Sequence, residues 1–246
     1  MTTAPPQQLA LVTGASRAEG LGYETCRQLA QRGLRVLLTA RDLTRAQDLA
    51  ARLQGDGLEV QALALDVTSD ASVQGVAAQL EAQHGHLDVL VNNAGSNFDF
   101  RVRTVDVDEP QLLAALGTNL IGPWRVSSAL LPLLRRSPHA RIVNVSSEAG
   151  SFGAPYGMAS RGETLGAYGV SKAALNAFTL KLAEALRAER ILVNAVCPGF
   201  IASHPGTAEL GARPVSEGAA GVVWAAMLPP GGPTGGFFRD GQPMAW

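Results

Sequence analysis

Tyr168 and Lys172 stand four residues apart in the stretch LGAYGVSKAALNAFTLKLAEALRAE, residues 165–189. On a helix that spacing puts both side chains on one face, one turn from each other. Ala173, Ala174, Leu175, Ala177, Leu180, Leu182, Ala183, Ala185 and Leu186 favour a helix here. An ammonium beside a phenol favours phenolate and lowers the phenol's pKa, which makes Tyr168 a proton donor near neutral pH. A lone Tyr-x-x-x-Lys also arises by chance on helix surfaces, so its meaning depends on what the chain places beside it.

A second constellation opens the chain. The apolar run Leu9 to Thr13 stops at Gly14-Ala15-Ser16-Arg17-Ala18-Glu19-Gly20-Leu21-Gly22, and a helical stretch follows to about Gly33. Gly14, Gly20 and Gly22 would let the backbone approach a pyrophosphate. Ser16, Arg17 and Leu21 lie on the same turn, and the helix N-terminus offers free N–H groups and a favourable dipole. This predicts a dinucleotide-phosphate cradle rather than an ordinary strand-to-helix turn. A dinucleotide without a 2′-phosphate is usually held by an acid at the end of the second strand. That place reads Thr39-Ala40-Arg41, with no acid before Asp42. The guanidinium fork of Arg41 suits a phosphate, and Arg17 is near enough in sequence order to join it. NADP(H) is therefore expected over NAD(H).

The elements that must position these groups follow a simple alternation. Strands are expected at 9–13, 34–40, 60–65, 87–91, 141–147, 191–197 and 235–238. Helices are expected at about 20–33, 42–54, 69–84 and 108–136, the last bent around Gly122-Pro123, and from 165 onward. Strands alternating with helices of this length imply a parallel sheet covered on both faces, with ligands outside the carboxyl ends of the strands. The polar clusters at 14–22, 41, 66, 92–95, 146–147 and 198–203 all fall there. At 246 residues the chain fits one α/β domain after a loose tail at 1–8. It is 46% hydrophobic and 17% charged with a formal charge of −1, so no global basic field invites nucleic acid or an acidic membrane. Two isolated cysteines, Cys26 and Cys197, suggest a reducing compartment. With no signal peptide and no membrane span in view, a cytoplasmic protein is expected.

Seven motifs in order make the chain resemble the short-chain dehydrogenase/reductase family, in particular its carbonyl-reductase-like branch. They are TGASR…GLG (13–22), LDV (65–67), NNAG (92–95), TNLIGP (118–123), IVNVSS (142–147), YGVSK (168–172) and NAVCPG (194–199). LTARD at 38–42 and the tail AAMLPP…GGFFRDG…W at 225–246 are similar to the carbonyl reductases. The resemblance implies a single-domain, doubly wound Rossmann fold with about seven strands. It also implies a set of roles. Tyr168 is the general acid, Lys172 lowers its pKa and holds the nicotinamide ribose, and Ser147 orients the carbonyl. Asn119 holds a water that relays protons. Asp66 and Val67 meet the adenine, while Asn92, Ala94 and Gly95 line the middle of the cofactor. Pro198, Gly199, Ile201 and Ser203 lie along the nicotinamide. The implied reaction is hydride transfer between NADP(H) and a small to medium, fairly apolar ketone, aldehyde or quinone. The implied assembly is a homodimer, a homotetramer or a monomer, and no metal is expected.

Three features depart from the family pattern. Ala18-Glu19 lengthens the glycine loop by two residues. Ser147 and Tyr168 are separated by about eight residues more than in the commonest members, the excess lying in 148–167. Ser203 stands where threonine is more usual. Tyr156-Gly157-Met158-Ala159-Ser160 mimics the catalytic pentad, but Ser160 replaces the lysine and Gly153, Pro155 and Gly157 discourage a helix. His84, His86, His139 and His204 read as helix-end or loop residues, and Asp106, Asp108 and Glu109 as the start of a helix. Trp124 and Trp224 read as core or interface. The alternative from another class is a non-catalytic NADP(H)-binding regulator, whose mark would be loss of Asn119, Ser147, Tyr168 or Lys172. A nucleotide-sugar epimerase shares the Tyr-Lys pair, but little chain follows Lys172 to build its substrate domain.

Overall fold

The computed structural model describes residues 7–96, 99, 101–160 and 162–246. Seven parallel strands form the sheet: β1 (Leu9–Val12), β2 (Arg35–Ala40), β3 (Val60–Ala64), β4 (Val89–Asn92), β5 (Arg141–Val145), β6 (Leu192–Val196) and β7 (Phe237–Arg239). An eighth, β8 (Gln242–Pro243), pairs antiparallel with β7. The order is β3-β2-β1-β4-β5-β6-β7-β8. The first part of the chain winds outward from β1 to β3, and the second winds the other way from β4. The switch point therefore lies between β1 and β4, where Val12 pairs with Leu38 on one side and Val91 on the other. A crevice at that point is where ligands of such sheets bind.

The helices are α1 (Leu21–Gln31), α2 (Leu43–Gly55), α3 (Asp70–Gln83), α4 (Glu109–Leu116), α5 (Gly122–Leu134), α6 (Gly166–Ala185) and α7 (Val215–Ala226). They cover both faces because the strands are apolar on both. Ala10, Val12, Val36, Leu38 and Val91 pack with Leu29 of α1, Leu49 of α2 and Val222 of α7. Their alternating neighbours Leu9, Leu11, Leu37 and Leu90 pack with Leu80 of α3, Leu130 of α5 and Ala183 of α6. This period-2 division is the signature of a doubly covered sheet.

The structure refines the sequence reading at four places. The bend expected at Gly122-Pro123 is a π-helical turn over Gly117–Ile121, which separates α4 from α5. Helix α7 was not anticipated, since Gly218 and Gly221 lower its propensity. The same glycines let it pack closely: a Cβ at Gly218 would lie 2.6 Å from Ile201 Cγ2. Strand β8 is too short to leave a pattern. Of the expected N-terminal tail, residues 1–6 lie outside the described residues. Gln7 already bonds Gly33 O at 3.1 Å, and Gln8 O accepts from Arg35 N at 2.9 Å. Asp108 caps α4 through a capping box with Gln111, as its position suggested. Trp224 packs edge-on against Phe238 at 5.0 Å, whereas Trp124 is 54% exposed and stacks on Phe178 at 4.5 Å.

Candidate active site

The loop after β1 and the NNAG segment after β4 are built as one unit. Thr13 Oγ1 accepts from the backbone N–H of Asn93 at 3.0 Å and of Ala94 at 2.9 Å, and Asn93 Nδ2 donates to Thr13 O at 2.8 Å. Gly14 sits at φ +71°, and a Cβ there would fall 2.6 Å from Ala94 Cα. At Gly22 a Cβ would fall 2.5 Å from Asn93 Nδ2. The glycines thus hold two backbone segments in a contact that a side chain would prevent. Gly20 is the N-cap of α1, with no side-chain cap bond, so no local side chain occupies the N–H groups of its first turn. The Ala18-Glu19 insertion is absorbed by a turn in which Gly20 N donates to Arg17 O at 3.0 Å, leaving Glu19 exposed. Ser16 O accepts from Arg45 Nε. Leu21 opens α1.

Charge gathers at the end of β2. Arg41 is exposed there and Arg17 is half-buried, and neither is in an ion pair among the described residues. The Asp66 carboxyl lies below its ordinary range. The Thr68 hydroxyl and amide bond it first, with Arg41 and Arg125 adding positive charge. Val67 is buried, its carbonyl accepting from Arg125 Nη1 at 2.7 Å. Burial first, and the charge of Arg17 second, hold the His204 imidazole below its ordinary range, so the segment after β6 lies within electrostatic reach of the glycine loop.

At the other side, α6 carries Tyr168 and Lys172 on one face. Lys172 is buried. Its Nζ donates to Val145 O at 2.8 Å and lies 5.8 Å from the centre of the Tyr168 ring. Desolvation pushes its pKa down to about 8 against a smaller opposing pull from Cys197. Ser147 follows β5 and its Oγ accepts from Ala149 N at 3.2 Å. The turn at 148–150 presses on α6 through glycines: a Cβ at Gly150 would lie 2.5 Å from Lys172 C, and one at Gly169 would lie 3.0 Å from Ala149 O. That contact brings Ser147 alongside the helix of Tyr168 and Lys172.

Asn119 lies in the π-helical turn and is fully buried. Its Oδ1 accepts from Ser96 N at 3.0 Å, and its Nδ2 donates to Ser96 O at 3.1 Å and to Ser171 Oγ at 2.9 Å. Ser171 Oγ donates in turn to Tyr168 O at 2.7 Å. Asn119 thereby brackets the segment after Gly95 and the first turn of α6. Asn92 ties the strands: its Nδ2 donates to Asn144 Oδ1 at 2.8 Å and Ser127 Oγ at 3.1 Å, while its Oδ1 is buried without a hydrogen bond. Pro198 O accepts two hydrogen bonds from Arg213, at 2.7 and 3.0 Å, and Gly199 adopts φ +78°. Ile201 bridges to Arg213, and Ser203 Oγ is 3.1 Å from His204 Nδ1. Tyr156 lies on a loop followed by a 3-10 turn, not on a helix with a lysine, and is 68% exposed.

Several residues around the site were not legible beforehand. Arg213 pairs with Asp240 at 2.7 Å and locks the Pro198 loop to the β7–β8 hairpin. Glu148, directly after Ser147, pairs with Arg239 at 2.6 Å. Asp99 accepts from the first N–H groups of α6. Each is a single charged residue in a loop, and no spacing rule links it to its partner.

With this geometry in view, the chain can be set beside known proteins. A family model described as short chain dehydrogenase matches residues 8–212. Among similar proteins is (-)-isopiperitenone reductase of Mentha piperita, 34% identical over 97% of this chain and 98% of that protein. Another is carbonyl reductase (NADPH) 3 of Rattus norvegicus, 33% identical over 97% of this chain and 98% of its own length. The crystal structure of NADPH-bound carbonyl reductase from chicken fatty liver superposes with a TM-score of 0.83 at 28% identity, covering 98% of this chain and 99% of that one. The chain belongs to the short-chain dehydrogenase family, in its carbonyl-reductase-like branch.

Proposed function

We propose that this protein is an NADPH-dependent carbonyl reductase that acts on small to medium, fairly apolar ketones, aldehydes or quinones. The observation that carries the reading is the grouping of Asn119, Ser147, Tyr168 and Lys172 around the start of α6: Ser171 links Asn119 to the Tyr168 backbone, and Lys172 bonds Val145 O, two residues before Ser147. The cradle fits a dinucleotide phosphate. Gly14 and Gly22 sit where a Cβ would close it, α1 begins without a side-chain cap, and Arg17 and Arg41 are outside ion pairs among the described residues. Gly14, Ser16, Arg17, Gly20, Leu21 and Gly22 would hold the pyrophosphate side. Arg41 would hold the 2′-phosphate, and Asp66 and Val67 the adenine. Asn92, Ala94, Gly95, Pro198, Gly199, Ile201 and Ser203 would line the rest. NADPH, when bound, supplies the hydride.

The chain's own groups supply position and a proton. Tyr168 donates the phenol proton to the substrate oxygen, and Ser147 hydrogen-bonds that oxygen and orients it. The Lys172 ammonium stabilises the phenolate left behind and holds ribose hydroxyls. Both amide protons of Asn119 are used within the protein, and its Oδ1 keeps one lone pair for the water of a relay. The apolar preference rests on Phe152, Tyr156, Phe200 and Leu210, which are exposed on the segments flanking the site. A panel of aldehydes, quinones, diketones and keto esters against charged sugars tests it. Turnover of the apolar carbonyls is expected, and activity confined to the sugars would contradict the substrate class.

A further inference from the structure

The helix carrying Tyr168 begins without a cap of its own. Its N-cap residue, Leu165, adopts φ 64° and ψ 30° and makes no side-chain bond to the first turn. A carboxylate from a distant part of the chain fills that place. Asp99 Oδ2 accepts from Ala167 N at 2.9 Å, Asp99 Oδ1 accepts from Tyr168 N at 3.2 Å, and the Asp99 carbonyl accepts from Leu165 N at 3.4 Å. Asp99 is only 7% exposed. A buried carboxylate needs donors, and the N–H groups at a helix start are among the strongest it can find, because charge and dipole act together.

The connection that carries Asp99 touches the site at both ends. Just before it, Ser96 is held by Asn119 at both its N–H and its carbonyl. Just after it, Arg103 bridges to Thr164, and Thr104 bonds Glu163 O through its hydroxyl at 2.9 Å. A Cβ at Gly166 would lie 2.7 Å from the Thr104 side chain, so this collar closes tightly on the start of α6. The loop before α6, eight residues longer than the commonest family spacing, carries 3-10 turns at Glu148–Gly150 and Met158–Ser160 among its described residues.

We propose that Asp99 is a positioning residue for the reaction, fixing the first turn of α6 and with it the Tyr168 phenol, and that its negative charge at that helix end opposes ionisation of the phenol. The inference rests on Tyr168 being the acid, as proposed above. The other charged or titratable groups on the elements packed there are Lys172 on α6 itself and Cys197 after β6. Among the described residues there are also Glu148 with Arg239 and Tyr156 at the 148–156 turns, Arg101 and Arg103 with Asp106 and Glu163 in the collar, and Asp108 and Glu109 at the start of α4. Lys172 and the helix N-terminus both favour phenolate. Asp99 is the carboxylate bound to the first turn, and it opposes them.

Asp99→Asn tests this, because it keeps the shape and one acceptor but removes the charge. Asp99→Glu keeps the charge and displaces it. NADPH affinity by fluorescence titration should stay within about twofold of wild type in both, while kcat falls roughly tenfold in each as the phenol shifts. The ionisation of Tyr168 is read as tyrosinate absorbance after subtraction of a Tyr168→Phe background. Its midpoint should fall by about half a pH unit in Asp99→Asn and stay near wild type in Asp99→Glu. A midpoint and kcat unchanged in Asp99→Asn would overturn the proposal. So would a loss of kcat that is equal in both variants with no movement of the midpoint, the mark of a merely structural cap. If Asp99→Asn does not fold, Asp99→Glu carries the test, and an unchanged kcat there overturns the proposal. A wild-type protein that shows no turnover, but whose phenol midpoint still falls in Asp99→Asn, would refute the reductase reading while leaving the electrostatic link between Asp99 and the phenol standing. Turnover with an unmoved midpoint would do the reverse.

Discussion

Lys172 is held in an environment that resists its own charge. Its pKa falls from 10.5 unfolded to about 8 folded because the amine is desolvated beneath the site. Between those values the unfolded chain binds more protons, so this group's contribution to stability rises with pH from about 8 to 10.5. Below that window both states are charged and the full penalty is present, on the order of 3 kcal/mol. Lys172→Met removes it but also loses the bond to Val145 O. The cofactor-free variant should be about 1–2 kcal/mol more stable than wild type in urea at pH 7, with the gap closing toward pH 10.5. A gap of equal size at both ends would mean that Lys172 is not strained in the fold. Arg41 makes a second prediction at this scale. Losing a charge-assisted contact to the 2′-phosphate, Arg41→Ala should bind NADPH about tenfold more weakly and NADH about as before. Equal weakening of both cofactors in calorimetry would assign Arg41 to the fold instead.

Glycine contacts decide how the elements meet. At Gly150 a Cβ would overlap Lys172 C at 2.5 Å and Ala173 N at 2.6 Å, so Gly150→Ala must push the turn after Ser147 away from α6. That variant should lose about a hundredfold in kcat/KM while NADPH binding holds, a split that stopped-flow binding beside steady-state rates would show. Wild-type kcat/KM would mean that the turn does not set the position of Ser147. The same contacts mark what a sequence can and cannot say. Strands β1 to β6 were legible as apolar runs, helices α1 to α3 from the glycine or capping residues at their starts, Gly20, Asp42 and Ser69, and α6 from its run of helix-favouring residues. The glycine loop and the Tyr168–Lys172 pair were legible because their parts are close in sequence. The π-helical turn at Asn119, helix α7 with its two glycines, and strand β8 were not, since tertiary contact overrode local propensity. Asp99 leaves no trace of its role, because the N–H groups it meets are 68 and 69 residues away.

Across the whole molecule, the sheet order puts β1 between β2 and β4, and the crevice so formed gathers residues from segments spread over nearly the entire chain. Glycine loop, Arg41, Asp66, NNAG, Asn119, Ser147, Tyr168–Lys172 and Pro198–Ser203 share the carboxyl end of one sheet. The fold alone would allow other chemistry, so the reductase activity turns on Tyr168 acting as acid at that edge. The most direct measurement is NADPH oxidation, followed at the nicotinamide absorbance with an apolar ketone or quinone, in wild type and in Tyr168→Phe. Wild type should turn over, and the rate should fall by about a hundredfold to ten-thousandfold in the variant, with NADPH binding intact. Tight NADPH binding without turnover in wild type, or turnover unchanged in Tyr168→Phe, would contradict Tyr168-dependent reduction.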